Sequence, residues 1–294
     1  MAFFPRSVLR NTRFYDATDP EVVLGGFRQN GSVTEANFLS FLDILLVTQG
    51  GTVHVQARIS GHIVTRTNTP LATGAYDIYC DGRIKISNEP SVHRLFSRSV
   101  SGKETRFRDE IRARDRKCVI SGMINDDICI QASDWISFEA AHLFPLEGEG
   151  IWIELDYGRW ITDMDDSLQS SKIDSAQNGF LLRSHIHQKF DQYLISVNPD
   201  DGYKVVVFNC DIDGLDGRIL DPVCRDPANP HCVSDQLLRW HFRQSVLANM
   251  RGPGEPIFEH DFPPGTDIVG EILAGPYGQE RFELEMAARL RGVC

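Results

Sequence analysis

No stretch of this 294-residue chain is both long and apolar enough to span a bilayer. The longest such run, Phe38 to Val47, is interrupted by Ser40 and Asp43. The N-terminus, Met1-Ala-Phe-Phe-Pro-Arg6, has neither a long apolar segment nor a cleavage signature. The expectation is an intracellular protein of the cytoplasm or nucleus, without a membrane partner. A disulfide framework is missing too. Seven cysteines (Cys80, Cys118, Cys129, Cys210, Cys224, Cys232, Cys294) are odd in number and scattered, which suits free thiols in a reducing compartment. Cys118-Val-Ile-Ser121 lacks the second thiol of a CxxC pair, and no second CxxC exists, so a zinc knuckle is disfavoured. Internal repeats are absent. Positive charge is scarce: 30 basic residues face 41 acidic ones, a net charge of −11. That balance argues against a protein-wide nucleic-acid surface, which rests on neutralising phosphates. With 41% hydrophobic and 24% charged residues, the chain is not disordered as a whole.

The charge is uneven. From Arg94 to Cys118, nine basic residues (Arg94, Arg98, Lys103, Arg106, Arg108, Arg112, Arg114, Arg116, Lys117) stand against four acids. Such a run is either a solvated helix face or a phosphate track. Upstream, residues 1–95 read as a β-rich region with one helix. Thr34 can cap a helix over Glu35 to Val47 with Phe38, Leu42, Leu45 and Leu46 on its apolar face, stopped by Gly50-Gly51. Strands are expected at Thr52–Arg58, His62–Arg66 and Tyr76–Cys80, and Asp81-Gly82 signals a hairpin into Arg83–Ser87. Ser87 to Gly102 has linker composition. A helix from about Lys103 to Arg116 and a short strand from Cys118 to Ser121 follow. The polar insertion Glu147–Ser175 carries Trp152, Tyr157 and Trp160, read as anchors to the core. Tyr193–Val197 and Tyr203–Phe208 flank a Pro-Asp-Asp-Gly turn and form a hairpin. Asp211-Ile-Asp213-Gly-Leu-Asp216-Gly lacks the spacing and terminal Glu of a calcium loop and reads as a turn. Helices are expected at Ser234–Met250 and Gln279–Arg291.

Chemistry concentrates in three short pieces: Glu139-Ala-Ala-His142-Leu-Phe-Pro145, Gln177-Asn178-Gly179 and His187-Gln-Lys-Phe-Asp191. His142 lies on an apolar run ended by a proline, Asn178 in a turn, and His187 and Asp191 one helical turn apart. Histidine titrates near neutral pH and can act as base or metal ligand. Taken singly, His142 reads as a core histidine and Asn178 as a turn former. His54, His62, His93, His231 and His241 are isolated. His185 is turned roughly 200° from His187 around a helix and is not a ligand. Glu259-His260-Asp261, between prolines, reads as a turn.

In this order, with Arg114-Asp-Arg-Lys-Cys-Val-Ile-Ser-Gly122 ahead and Gly-Phe-Leu-Leu after Asn178, the pieces resemble the HNH nuclease superfamily, in its branch with an Ala-Ala-His first motif. The likeness covers about Lys103 to Phe208. Trp240-His-Phe-Arg243 and the segment from Gly254 to Pro264 resemble filamentous-fungal HNH-domain proteins. The resemblance implies an α+β fold: a ββα-metal module over 103–210, the β-rich region before it, and a C-terminal helical extension over 211–294. It implies a divalent-metal-dependent endonuclease that hydrolyses DNA. His142 would be general base, Asn178 would hold the loop and the base, and His187 would ligate the metal, with Asp191 and Glu139 as further candidates. The cofactor would be Mg²⁺, Mn²⁺ or Zn²⁺. Two departures stand out: Ala141 occupies a position where many relatives place an acidic or histidine ligand, and the insertion before Asn178 is long. They keep alternatives open: a recruited scaffold acting on a small molecule in a fungal biosynthetic pathway (tailoring or cyclisation), or a non-catalytic interaction protein.

Overall fold

A computed structural model describes residues 6–48, 52–89, 92, 102–164, 171–252, 265–274 and 282. The architecture is α+β, and the described residues divide into two compact units, each discontinuous in sequence. One takes in the described parts of Met1–Ser91, Val206–Gly217 and Arg243–Ala287; the other, those of Val92–Val205 and Arg218–Phe242. Among the described residues no helix is long and apolar enough to cross a membrane.

The first unit opens with β1 (Thr12–Asp16) and β2 (Asp19–Phe27), then α1 (Glu35–Leu45), β3 (Leu46–Thr48), β4 (His54–Ala57), β5 (Gly74–Tyr79) and β6 (Ile84–Ile86). The helix begins at Thr34, whose hydroxyl accepts from the Asn37 amide while the Asn37 side chain accepts from the Thr34 amide. This reciprocal cap is worth about 1 kcal/mol. Phe38, Phe41, Leu42 and Leu45 bury one helical stripe, each contributing roughly 1.5–3 kcal/mol. Phe38 packs between Phe14 of β1 and Tyr76 of β5, at 5.7 and 5.3 Å between ring centroids.

Three expectations change here. Asp81-Gly82 does not close a hairpin. The sheet order is β2-β1-β5-β4, so both edges of β5 are already hydrogen-bonded, and β6 pairs with β3 instead. His62–Arg66 forms no strand; Ile63 makes one isolated bridge to Gln56, and His62 and Thr65 instead hydrogen-bond the Glu35 carboxylate. Leu46 belongs to β3 rather than to the helix. The stop at Gly50-Gly51, most of the Ser87–Gly102 linker, and the Gln279–Arg291 helix lie outside the described residues, as does Glu259-His260-Asp261.

The second unit contains α2 (Gly102–Asp115), α3 (Asp127–Gln131), β7 (Phe138–His142), α4 (Glu149–Glu154), β8 (Gly179–Arg183), α5 (Ser184–Asp191), β9 (Ile195–Asn198) and the start of β10 (Lys204–Val207). α6 (Asp235–Met250) follows, with the division between the units falling inside it, and α7 (Ile268–Ala274) comes last. Cys118–Ser121 is a turn, not a strand: the Gly122 amide donates to the Cys118 carbonyl at 2.8 Å. Trp152 is buried and packs on Phe144 at 5.3 Å between ring centroids, which anchors the insertion to the core as read, and its indole N–H donates to the Ser171 carbonyl within the insertion at 2.6 Å. The acids after β10 cap backbone amides: Asp211 accepts from Leu215 and Asp216, and Asp216 from Ser32 and Val207. That is a turn, as read.

Candidate active site

β7 and β8 run antiparallel, with Glu139 opposite Leu182, Ala141 opposite Phe180 and His142 opposite Gly179. β8 (Gly-Phe-Leu-Leu-Arg) is an apolar run, and its first four residues are buried. Such a run is sandwiched rather than half-wet. α5 covers one face, where Phe180 meets Phe190 at 5.1 Å. α2 covers the other, because Phe107 lies against Gly179 and stacks flat on the His142 ring, 3.8 Å between centroids and 6° between planes. Alternation along the strand then sends Glu139 and Ala141 toward α5, and His142 toward α2.

α2 presents Phe107, Ile111, Arg114 and Asp115 as one buried stripe at positions i, i+4, i+7 and i+8. Arg114 is a structural residue. Its side chain is 1% exposed, pairs with Asp115 at 2.6 Å, and donates to the carbonyls of Ala176, Gly179 and His231. Asp115 in turn accepts from the Leu181 amide at 2.7 Å. Together they fasten the helix to β8 and its approach.

Asn178, fully buried, ends a short 3₁₀ turn, Ala176–Asn178, capped by Ser175. Its Oδ1 accepts from the Phe144 amide at 2.9 Å, and its Nδ2 donates to the carbonyls of Phe144 (3.1 Å) and Ile173 (2.8 Å). Its backbone carbonyl accepts from the Leu143 amide at 2.8 Å. The two residues after His142 are thereby fixed. Gly179 must be small, since a Cβ there would lie 2.5 Å from Phe107 and 2.6 Å from the Ala141 carbonyl. His142 Nε2 faces Asp174 Oδ1 at 3.7 Å; these two atoms are buried, while the side chains as wholes are 16% and 20% exposed.

On the α5 side, His187 sits between two carboxylates. Nδ1 lies 2.7 Å from Glu139 Oε2 and Nε2 lies 3.2 Å from Asp191 Oδ2. Burial disfavours the charged ring, but the bonds to Asp191 and Glu139 prevail and raise its pKa to about 9. The same bond to His187 holds the Glu139 carboxyl below the usual carboxylate range.

Glu139, His187 and Asp191 are thus brought together on one face, and His142 and Asn178 lie at the end of the same hairpin. Asp174 was invisible in the sequence: it lies in the polar insertion, four residues before Asn178, with no motif around it. Four described arginines of the basic run have partners within the protein, Arg114 among them. Arg112 rests on Trp135 at 5.0 Å, Arg116 pairs with Asp127 at 2.6 Å, and Arg106 with Glu110 at 2.7 Å. His241, isolated in the sequence, is buried, bonded to Ser196 at 2.7 Å and stacked on Phe190 at 3.6 Å. No curated protein and no solved structure gives a significant match to the chain. Residues 9–85 match a family described as a domain of unknown function (DUF8573), and residues 118–198 match one described as HNH endonuclease.

Proposed function

Since residues 118–198 belong to the HNH endonuclease family, we propose that the chain is a divalent-metal-dependent endonuclease hydrolysing phosphodiester bonds in DNA. The observation that supports this best is the Asn178 clamp. A fully buried amide makes three side-chain hydrogen bonds and holds the backbone immediately beyond His142, whose side chain is 16% exposed. A base held this way keeps its position for proton transfer.

His142 is the general base in this reading. Its ring orientation is set by the flat contact with Phe107, and Asp174, 3.7 Å away, is placed to stabilise the ring once it has taken a proton from water. Glu139, His187 and Asp191 are the candidate metal ligands. Each carboxylate lies within hydrogen-bond distance of the ring, Glu139 at Nδ1 and Asp191 at Nε2, so an ion on His187 would share one nitrogen with one of the acids, a mixed donor set that Mg²⁺, Mn²⁺ and Zn²⁺ accept. Bound there, a divalent ion would neutralise charge on the phosphoryl group and leaving oxygen. With Ala141 unable to ligate, Glu139 takes over from the same side of the strand.

A second reading is favoured by one observation: among the described arginines of the basic run, Arg106, Arg112, Arg114 and Arg116 already have partners within the protein. On a chain of net charge −11 that leaves little for a phosphate track. The alternative is a scaffold of this family acting on a small molecule, with His142 as acid or base. The test is incubation with supercoiled plasmid in Mg²⁺, Mn²⁺ or Zn²⁺, with a chelator control and His142→Ala. Metal-dependent nicking lost in the variant supports the nuclease. No nicking by folded, metal-loaded wild type rejects it.

A further inference from the structure

A second group of potential ligands lies outside the motif. Among the described residues, Glu110, Asp163 and His231 bring one imidazole nitrogen and two carboxylate oxygens within 4.8 Å of one another. Glu110 comes from α2, Asp163 from the segment after the 3₁₀ turn Tyr157–Trp160, and His231 from the loop before α6. In the sequence His231 looked isolated. The fold pairs its Nδ1 with Asp163 Oδ2 at 2.9 Å.

Each member is held by its own scaffold. The Glu110 carboxylate is fixed by Arg106 at 2.7 Å. Asp163 Oδ1 accepts from the Ser175 hydroxyl at 2.6 Å. The His231 amide donates to Asn229 and its carbonyl accepts from the buried Arg114. Gln177 ties two of the strands of chain together: its Oε1 accepts from the Thr162 amide, and its Nε2 donates to the Thr162 hydroxyl and the Pro230 carbonyl. The residues immediately before Asp163 and before His231 are therefore pinned by one side chain. Ligand-bearing segments braced this way are what a preorganised ion site requires.

The Asp163 side chain is 2% exposed, pairs with the His231 imidazole, accepts from Ser175, and is within electrostatic reach of Arg106. A divalent ion bound there would take the place of the proton shared between Asp163 and His231. We propose that Glu110, Asp163 and His231 form a divalent-cation site, separate from Glu139, His187 and Asp191, with the mixed nitrogen and oxygen donors that Zn²⁺ and Mn²⁺ accept. It lies on the His142 side of the hairpin. Glu110 is one turn beyond Phe107, which stacks on His142, and Ser175, which holds Asp163, follows Asp174. The site does not depend on the nuclease reading, because ion binding is independent of what the chain hydrolyses.

The experiment counts metal in the full chain, stripped with chelator, titrated calorimetrically with Zn²⁺ and then assayed for bound zinc after dialysis. In a His187→Gln background, which disables the other cluster, one Zn²⁺ per chain is expected. Adding Asp163→Asn or His231→Gln should weaken it by ~100-fold or more, beyond what supporting residues give. In the wild-type background the same changes should remove one equivalent. Glu110→Gln is the safeguard: its carboxylate is partly exposed on α2, so the variant folds even where Asp163→Asn does not. Cooperative thermal unfolding is verified for each. A His187→Gln chain that binds no Zn²⁺, or Glu110→Gln and His231→Gln chains that bind as tightly as their parent, would overturn the proposal. Plasmid nicking is scored separately, so loss of the nuclease reading leaves this count unaffected.

Discussion

His142 is constrained in three ways at once: by a ring against its face, by an acid near its Nε2, and by a clamped backbone on its C-terminal side. A base so placed contributes ~10²–10⁴-fold to rate without holding the fold together. His142→Ala should therefore abolish hydrolysis by that factor while thermal unfolding and zinc stoichiometry stay close to wild type; equal activity would remove it from the mechanism. Asp174 acts through the ring, so Asp174→Asn should produce a smaller loss, seen in kcat rather than KM. A loss confined to KM would instead make it a substrate contact. His187 gives a pH prediction. Its folded pKa of about 9 lies above the ordinary 6.5, so its pairing with Asp191 and Glu139 stabilises the metal-free protein fully below pH 6.5. That contribution declines as pH rises and is gone once pH passes about 9. In chelator, the melting-temperature gap between wild type and His187→Gln should be widest near pH 6 and close by pH 10. A gap that widens with pH would contradict the assigned pairing.

At the level of elements, the hairpin of β7 and β8 is assembled by α2 and by Asn178, and each can be tested by one substitution. Asn178→Ala strands the Phe144 amide and two carbonyls in the core, at roughly 1–3 kcal/mol for each group left unsatisfied. Gly179→Ala forces a methyl into Phe107 and should destabilise by about 1–3 kcal/mol. Arg114→Gln leaves Asp115 buried without its ion pair, and a loss of about 3–5 kcal/mol is expected in chemical denaturation. A neutral Arg114→Gln would return that residue to the candidate phosphate contacts. The same elements explain what the sequence disclosed. His142, Asn178, His187 and Asp191 were legible because each motif is local: a strand ending in proline, an Asn-Gly turn, and an i, i+4 pair on a helix. α1 with its Thr34 cap and the β9–β10 hairpin were legible for the same reason. β6 was paired wrongly because competition for the edges of β5 is settled by β1 and β4, far away in the chain. Neither β1 nor β2 was foreseen. Asp174, Asp163 and His231 had no signal, since their partners lie 32, 12 and 68 residues away or come from separate elements.

For the whole molecule, the question is whether a chain of net charge −11 can hold DNA. The stretch from Arg94 to Lys117 is its densest positive region, yet Arg114 is buried and Arg112 and Arg116 already have partners. Replacing all three arginines would confuse unfolding with loss of phosphate contact. Arg116 is the cleaner probe, being 56% exposed and paired only across the surface with Asp127 at 77% exposure. Exposed pairs of this kind contribute little to stability, about 0–1 kcal/mol, and exchange readily for another anion. If the chain binds DNA, affinity should fall linearly in log–log terms with salt, with a slope of roughly −0.9 per phosphate contacted. Arg116→Gln should reduce the magnitude of that slope by about one such contact and weaken all sequences alike, leaving zinc binding and unfolding unchanged. Arg112→Gln should do the same only if the guanidinium leaves Trp135 for a phosphate. The small-molecule alternative predicts negligible association even at low salt and no effect of either change. Binding isotherms at three salt concentrations, on metal-loaded wild type and the two single variants, separate the cases. Undetectable association at the lowest salt would reject the nuclease, because the protein-wide repulsion would then have no local counterweight.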